Sequence, residues 1–216
     1  MYTPQHFEET RSEVLQSLVR AHPLSTLVTF SADGLVANLI PMQFRPDGSE
    51  HGALVGHVAR ANRIWQDTDF NVPALAVFQG PAHYISPSLY PTKREHGKVV
   101  PTWNYAVVQA RGVLKVHQDP DWIRAQVSAL TQQQESAMPA PWSVDDAPSE
   151  YTDALLKALV GIEIQINRWS GKWKVSQNQP PVNRVGVASG LDSIDDAQAR
   201  AMAALVRDRD ERGERG

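Results

Sequence analysis

The 216-residue sequence has no cysteine. Disulfides, thiolate metal sites, cysteine nucleophiles and cysteine-linked cofactors are therefore all excluded. No apolar run approaches the length of a membrane span. The N-terminal "MYTPQHFEETRSE" lacks the basic start and apolar centre of a secretory signal. We expect a soluble, cytoplasmic chain with no membrane partner. No charge of one sign dominates, since the formal net charge is −3. The molecule as a whole therefore offers no electrostatic bias toward nucleic acid. HExxH, GxSxG, P-loop and GxGxxG motifs are absent. The seven histidines show no metal-ligand spacing, so no metal is expected.

What is present is a globular composition, 42% hydrophobic and 21% charged. Thr3 and Pro4 look like the cap and first position of a helix that Pro23 ends, with Phe7, Val14, Leu15, Leu18 and Val19 as its apolar stripe. Short strand-like segments then follow at close spacing: "LSTLVTF", "LVANLIPMQF", "ALVGHV", "PALAVFQG" and "AHYIS". This pattern suits an antiparallel barrel or sandwich, not a doubly wound parallel sheet. A short helix is expected in "ARANRIWQDTDF" and a polar loop over 87–98. "VVPTWNYAVVQARGVLKV" is the longest strand signal. Asp119-Pro120 opens an amphipathic helix, and "PAPWSVDDAPSEYTDALLKALVG" is a loop followed by another helix. "IEIQINRWSGKWKVSQN" reads as two strands turning at Ser170-Gly171. "DSIDDAQARAMAALV" is a last helix. We expect one domain over 1–206 and a disordered charged tail over 207–216.

Three segments carry chemistry. In "GHVARANRIW" a strand ends where a helix begins, bringing together His57, Arg60 and Asn62. This junction suits a phosphate monoester, or a solvated arginine at a polar helix start, which spacing alone favours. In "SGKWKVSQNQP", alternation puts Lys172, Lys174 and Ser176 on one face and Trp173 and Val175 on the other. Two cations and a hydroxyl could hold an anion, or form the wet side of an edge strand. In "VPTWNYAVV", Trp103, Tyr105 and Val107 alternate with Asn104, Ala106 and Val108, so both faces carry apolar groups. One face would meet the core. The other would meet a second subunit or a flat ligand, on which Trp and Tyr stack while Asn offers a donor and an acceptor. An ordinary core aromatic pair with a satisfied asparagine is the alternative.

Taken together, "MYTPQHF", "GHVARAN", "HYISPSLY", "VPTWNY" and "KVSQN" occur in the order seen in PaiB-like proteins. That family consists of FMN-binding split-barrel proteins described as negative transcriptional regulators, and the similarity spans residues 1 to roughly 187. The resemblance implies a mainly β fold with α: a six-stranded antiparallel split β-barrel of Greek-key type with flanking helices. It also implies a homodimer binding FMN at the subunit interface. His57, Val58, Arg60 and Asn62 would lie by the phosphate. Asn38, Ile40 and Pro41 would run along the isoalloxazine ring. Trp103, Asn104 and Tyr105 would line the flavin-side groove, and Lys174, Ser176, Gln177 and Asn178 would close it. The sequence departs from the family pattern at Leu39, Arg63 and Leu89, where His, Pro and Trp are expected.

Three functions follow from that resemblance and its relatives. One is a regulator that acts on DNA or on a partner. The second is a small FMN-dependent oxidoreductase of the flavin-reductase or pyridoxamine-phosphate-oxidase type. The third is a haem-binding barrel with His57, His83 or His96 as axial ligand. No reading helix or basic stripe supports DNA contact directly, so any DNA binding is expected to be weak and salt-dependent.

Overall fold

The computed structural model describes residues 1–213. The chain forms two compact units, a larger one of Gln16–Phe78 and Gln109–Trp169 and a smaller one of Met1–Leu15, Gln79–Val108 and the chain from Ser170 onward. Several elements continue from one unit into the other.

In the larger unit, antiparallel strands β2 (Leu24–Ser31), β3 (Gly34–Arg45) and β4 (Ala53–Ala59) are joined by the early half of β5 (Ala74–Ile85), the late half of β6 (Thr102–His117) and the early half of β7 (Leu159–Lys174). The hydrogen-bonded order is β7-β4-β3-β2-β5-β6, and β6 also pairs with β7, so the six long strands close into a barrel. The β2–β3 register runs from Leu24↔Pro41 to Ser31↔Gly34, turning where Gly34 takes φ 103°. Alternation sets the core: Leu27, Met42, Leu54, Phe78, Ile162 and Ile164 are fully buried.

Two helices of this unit lie between β6 and β7. α4 (Pro120–Glu135) starts where expected, with the Asp119 carboxylate accepting from the Asp121 N–H at 3.1 Å and Pro120 in its first turn. Its buried Ile123 and Gln126 face β4. α5 (Ser149–Lys157) buries Thr152 and Leu156. Below α4, buried Glu163 meets Arg45 at 2.5 Å, His117 at 3.2 Å and Lys115 at 3.6 Å, while Trp122 stacks flat on His117 at 4.0 Å.

The chain differs from the sequence-based expectation in three ways. The first helix, α1 (Ser12–Ala21), starts nine residues after Thr3 (12 − 3), because a 3-10 turn at Gln5–Phe7 and a two-residue strand, β1 (Glu8–Glu9), come first. β1 pairs with Lys172 and Gly171 of β7. Second, Ser170-Gly171 is not a turn, and β7 runs straight through it. A Cβ at Gly171 would overlap Leu15 and the Glu9 carbonyl, so this glycine serves close approach of backbones. Third, an unexpected helix, α6 (Pro181–Asp192), follows the Pro180-Pro181 pair. Its Gly186 and Gly190 let Leu89 and Pro91 approach closely, and two glycines in one helix had masked its signal.

The remaining elements are smaller. The expected helix over 59–70 is only the four-residue α2 (Ile64–Asp67), and the polar loop carries a single helical turn, α3 (Lys93–His96). The last helix, α7 (Ala197–Gly213), continues past residue 206; residues 214–216 of the expected tail lie outside the described residues.

Buried Glu9 ties α7 to β1. Its carboxylate accepts from the Arg11 backbone N–H at 3.0 Å and from the Arg11 guanidinium at 2.8 and 2.5 Å, with Arg209 at 3.3 Å. Burial pushes its pKa up, but the side-chain and backbone hydrogen bonds from Arg11 and the charges of Arg11 and Arg209 together bring it below 4.5. A lowered carboxylate pKa adds stability that is full above the unfolded value and is lost as pH falls through the folded value. Thermal melts between about pH 6 and about pH 3 should therefore fall more steeply for the native chain than for Glu9→Gln. Parallel curves would show that this carboxylate does not drive acid unfolding.

Candidate functional site

The residues singled out by sequence separate into two groups, one in each unit. In the smaller unit, the strand alternation of "TWNYAVV" is as expected: Asn104, Ala106 and Val108 are buried, while Trp103 is 58% exposed and Tyr105 half-buried. Asn104 Nδ2 donates to Ser176 Oγ at 2.8 Å, but its Oδ1 is buried with no partner among the described residues. An unpaired buried acceptor is costly, and it is the kind of group a ligand satisfies. Ser176 is the one non-glycine residue with positive φ among the described residues, at 67°. The strained turn just past β7 holds its hydroxyl against Asn104.

Two lysines flank this pair. Lys174 Nζ donates to Thr102 Oγ1 and, at 2.8 Å, to the Trp103 carbonyl. Lys172, which is buried, donates to the Tyr2 carbonyl at 3.1 Å and lies over the rings of Tyr105 at 5.3 Å and Tyr2 at 5.8 Å. Among the described residues, neither lysine is paired with a carboxylate. Burial lowers the Lys174 pKa, Tyr105 raises it, and the like charge of Lys172 lowers it further. Gln177 is a structural clamp: it accepts from the Val175 N–H at 2.8 Å and donates to the carbonyls of Trp173 at 2.5 Å and His6 at 3.0 Å. Asn178 is exposed. Trp103 meets Tyr84 edge to face at 6.1 Å, which extends an exposed aromatic surface. The strand periodicity of Lys172 and Lys174 was visible in the sequence, but the contacts of Tyr2 and Thr102 with them were not.

In the larger unit the expected residues have different employments. Arg60 donates to the carbonyls of Lys157 at 3.0 Å and Leu159 at 2.9 Å and to Gln118 at 3.0 Å, with its guanidinium over Trp65. It staples the strand end to the start of β7. His57 is hydrogen-bonded to Gln126 of α4 at 2.7 Å, and Val58 is core. Ile40 is buried and its carbonyl accepts from Ser25 Oγ at 2.8 Å, while Pro41 is exposed.

Asn38 and Asn62 do come together. Asn62 Nδ2 donates to Asn38 Oδ1 at 2.9 Å, and Asn62 Oδ1 accepts from the Ile64 N–H at 3.1 Å. Both line a small cavity with Val36, Ile64 and three hydroxyl residues, Thr29, Ser31 and Thr68, which sequence reading passed over because single hydroxyl residues in strands and loops carry no pattern.

Of the histidines named as haem ligands, His83 is hydrogen-bonded to the Tyr84 carbonyl at 2.6 Å and His96 to the Lys98 N–H at 3.0 Å. Among the described residues, no group of three or more metal-ligating side chains is present. Nor, among them, is any helix long and apolar enough to cross a membrane.

Comparison with known proteins agrees with this architecture. Among solved structures, the FAD and heme binding protein from Mycobacterium smegmatis superposes with a TM-score of 0.57 at 18% identity, over 85% of this chain and 80% of that one. The flavocytochrome Anf3 from Azotobacter vinelandii gives 0.55 at 9% identity, over 80% and 72%. At these identities the likeness is one of fold. In sequence, an uncharacterized protein of Emericella nidulans is 33% identical over 98% of both chains. "Protease synthase and sporulation protein PAI 2" of Bacillus subtilis is 28% identical over 97% of this chain and 98% of that protein. The family model described as "Putative FMN-binding domain" matches residues 1–168. The chain belongs to this PaiB-like FMN-binding-domain family, built on an antiparallel split barrel with flanking helices.

Proposed function

We propose that the chain binds FMN as a homodimer and acts as a flavin-carrying regulator. The observation that carries the reading is the buried, unpaired Oδ1 of Asn104, set beside exposed Trp103 and the two lysines without carboxylate partners. These residues fit the group. Trp103 and Tyr105 offer aromatic faces to a planar ring. Asn104 offers an acceptor to an N–H on the ring edge, with Ser176 holding its amide in place. Lys174 offers charge to an anionic phosphate. A bound flavin supplies redox chemistry, while the protein supplies binding, orientation and electrostatics. The side chains gathered here bind and orient; no acid–base pair is set among them.

The dimer is supported by an apolar sheet face. On β2 and β3, the face opposite the core carries the cross-strand pairs Leu24↔Pro41, Thr26↔Leu39, Val28↔Ala37 and Phe30↔Leu35. Val77 and Leu75 of β5 extend it beside Thr26 and Val28. Leu35 is 77% and Leu39 69% exposed, and contiguous apolar surface of this kind is unusual on a monomer. Contact with DNA is the weaker part of the regulator reading, because the net charge of −3 gives little counterion release.

A second reading, a small flavin-dependent oxidoreductase, is favoured by the Trp103–Tyr84 surface, where a second planar molecule could stack. One experiment addresses both readings: size exclusion with light scattering and visible absorbance, after incubation with FMN. Flavin absorbance eluting at twice the chain mass is expected. A colourless peak would remove the flavin reading, and a flavin-bearing monomer the dimer. Bleaching of the bound flavin by NADPH would move the assignment to the oxidoreductase.

A further inference from the structure

A groove of about 580 Å³ opens in the smaller unit, where the segment after β5 packs on α6. Its volume is in the usual range of small-molecule sites. Leu89 and Pro91 lie against Gly190 and Gly186, so part of the lining is apolar side chain and bare helix backbone. The segment is latched to α6 by a buried pair. The Thr92 N–H and hydroxyl donate to Asn183 Oδ1 at 3.3 and 3.1 Å, and Asn183 Nδ2 donates back to Thr92 Oγ1 at 3.0 Å. This latch fixes the start of α3 and with it Lys93 and Arg94, which both line the groove.

Two features of the lining point to an anion. Lys93 and Arg94 are its cations, no acidic side chain lines it, and among the described residues neither cation is paired with a carboxylate. Tyr90 also lines it and is only 3% exposed, yet its hydroxyl takes no hydrogen bond among the described residues. A phenol this buried is normally paired, and a ligand in the groove would supply the partner. Burial raises the Tyr90 pKa above 10.0, so the phenol keeps its proton and remains a donor. Two adjacent cations match a phosphate monoester, which carries nearly two negative charges at neutral pH, better than a carboxylate, which carries one.

We propose that this groove binds a phosphate monoester, with Lys93 and Arg94 as its cations, the Tyr90 hydroxyl as its buried donor, and Leu89 and Pro91 against the organic part of the ligand. The site does not rest on the flavin reading, since none of its residues belongs to the group around Trp103, Asn104 and the two buried or half-buried lysines.

The test is calorimetric titration of the full chain with phenyl phosphate, and with inorganic phosphate and phenol as its two halves. Phenyl phosphate should bind more tightly than either half. Lys93→Gln and Arg94→Gln should each weaken it about fivefold. Tyr90→Phe should weaken it about threefold, and should melt no lower than the native chain, because the hydroxyl removed has no partner to lose. Lys98→Gln, which removes an exposed cation two residues past α3 and outside the lining, should change nothing. An equal loss in Lys98→Gln would reduce the effect to general attraction by a basic loop and overturn the site, as would an unchanged affinity in Tyr90→Phe. Saturating FMN should leave the affinity for phenyl phosphate unchanged. Displacement by FMN, with FMN itself weakened in Lys93→Gln and Arg94→Gln, would put the flavin phosphate in this groove and overturn a separate site. A chain that binds phenyl phosphate in this pattern but no flavin keeps the site while the flavin reading fails.

Discussion

Replacing Lys174 by Gln is expected to lower FMN affinity by about tenfold to a hundredfold and to leave riboflavin affinity nearly unchanged. The estimate is that of a charge-assisted hydrogen bond, roughly 1.5–3 kcal/mol. Glutamine can still donate to Thr102 Oγ1 and the Trp103 carbonyl, so the local fold is kept while the charge is removed. Comparative fluorescence titration of the two flavins gives the answer directly. Equal losses for both would show that Lys174 supports the site without reading the phosphate.

The same residue sets a pH dependence. Its pKa lies below 10.5, chiefly through burial, so it loses its charge earlier than an ordinary lysine as pH rises. The preference for FMN over riboflavin should fade in that window, and should fade less in Lys174→Gln. Stability moves the other way. Between the lowered folded pKa and the unfolded value the unfolded chain holds more protons, so the Lys174 contribution to stability increases with pH.

The largest effect on stability is expected from Gly112→Ala. Gly112 lies on β6 in the larger unit, and a Cβ there would overlap the Gln165 carbonyl of β7 and touch Ile164. The obstacle is backbone, which cannot swing aside as a flexible side chain does. Overpacking of this kind costs about 3 kcal/mol, or roughly 6–12 °C in Tm for a chain of this size. Val113, the next residue, is 44% exposed, so Val113→Ala should change stability by no more than about 0.5 kcal/mol. A Gly112→Ala variant melting with the native chain would mean that β6 and β7 can separate at that point without cost.

Much of the architecture was legible because strand and helix signals are local. The short run "LSTLVTF" read as a strand and forms β2, with Ser25, Leu27, Thr29 and Ser31 buried along one face. Asp119-Pro120 marked the start of α4 to the residue. The readings that failed depended on distant neighbours. Gly171 has the sequence character of a hairpin turn and the structural role of a contact surface for Leu15 and Glu9. A glycine's purpose depends on what lies against it, and sequence spacing does not carry that. α6 escaped notice because glycine lowers helix propensity, while its Gly186 and Gly190 are used to pack on Leu89 and Pro91.

The candidate site divides along the same line. The sequence alone determined that no cysteine chemistry operates here, that the fold is antiparallel β with flanking helices, and that Trp103, Asn104, Tyr105 and the alternating lysines share one region of strand. Only the tertiary structure decided which polar groups remain free for a ligand. Arg60 is committed to carbonyls 97 and 99 residues away, Arg63 to Asp67, and Gln177 to His6 and Trp173. Asn104 Oδ1 and the Thr68 hydroxyl are left without partners among the described residues. Residue type sets what a side chain can bind, but its free valence depends on which neighbours the fold brings within about 3 Å.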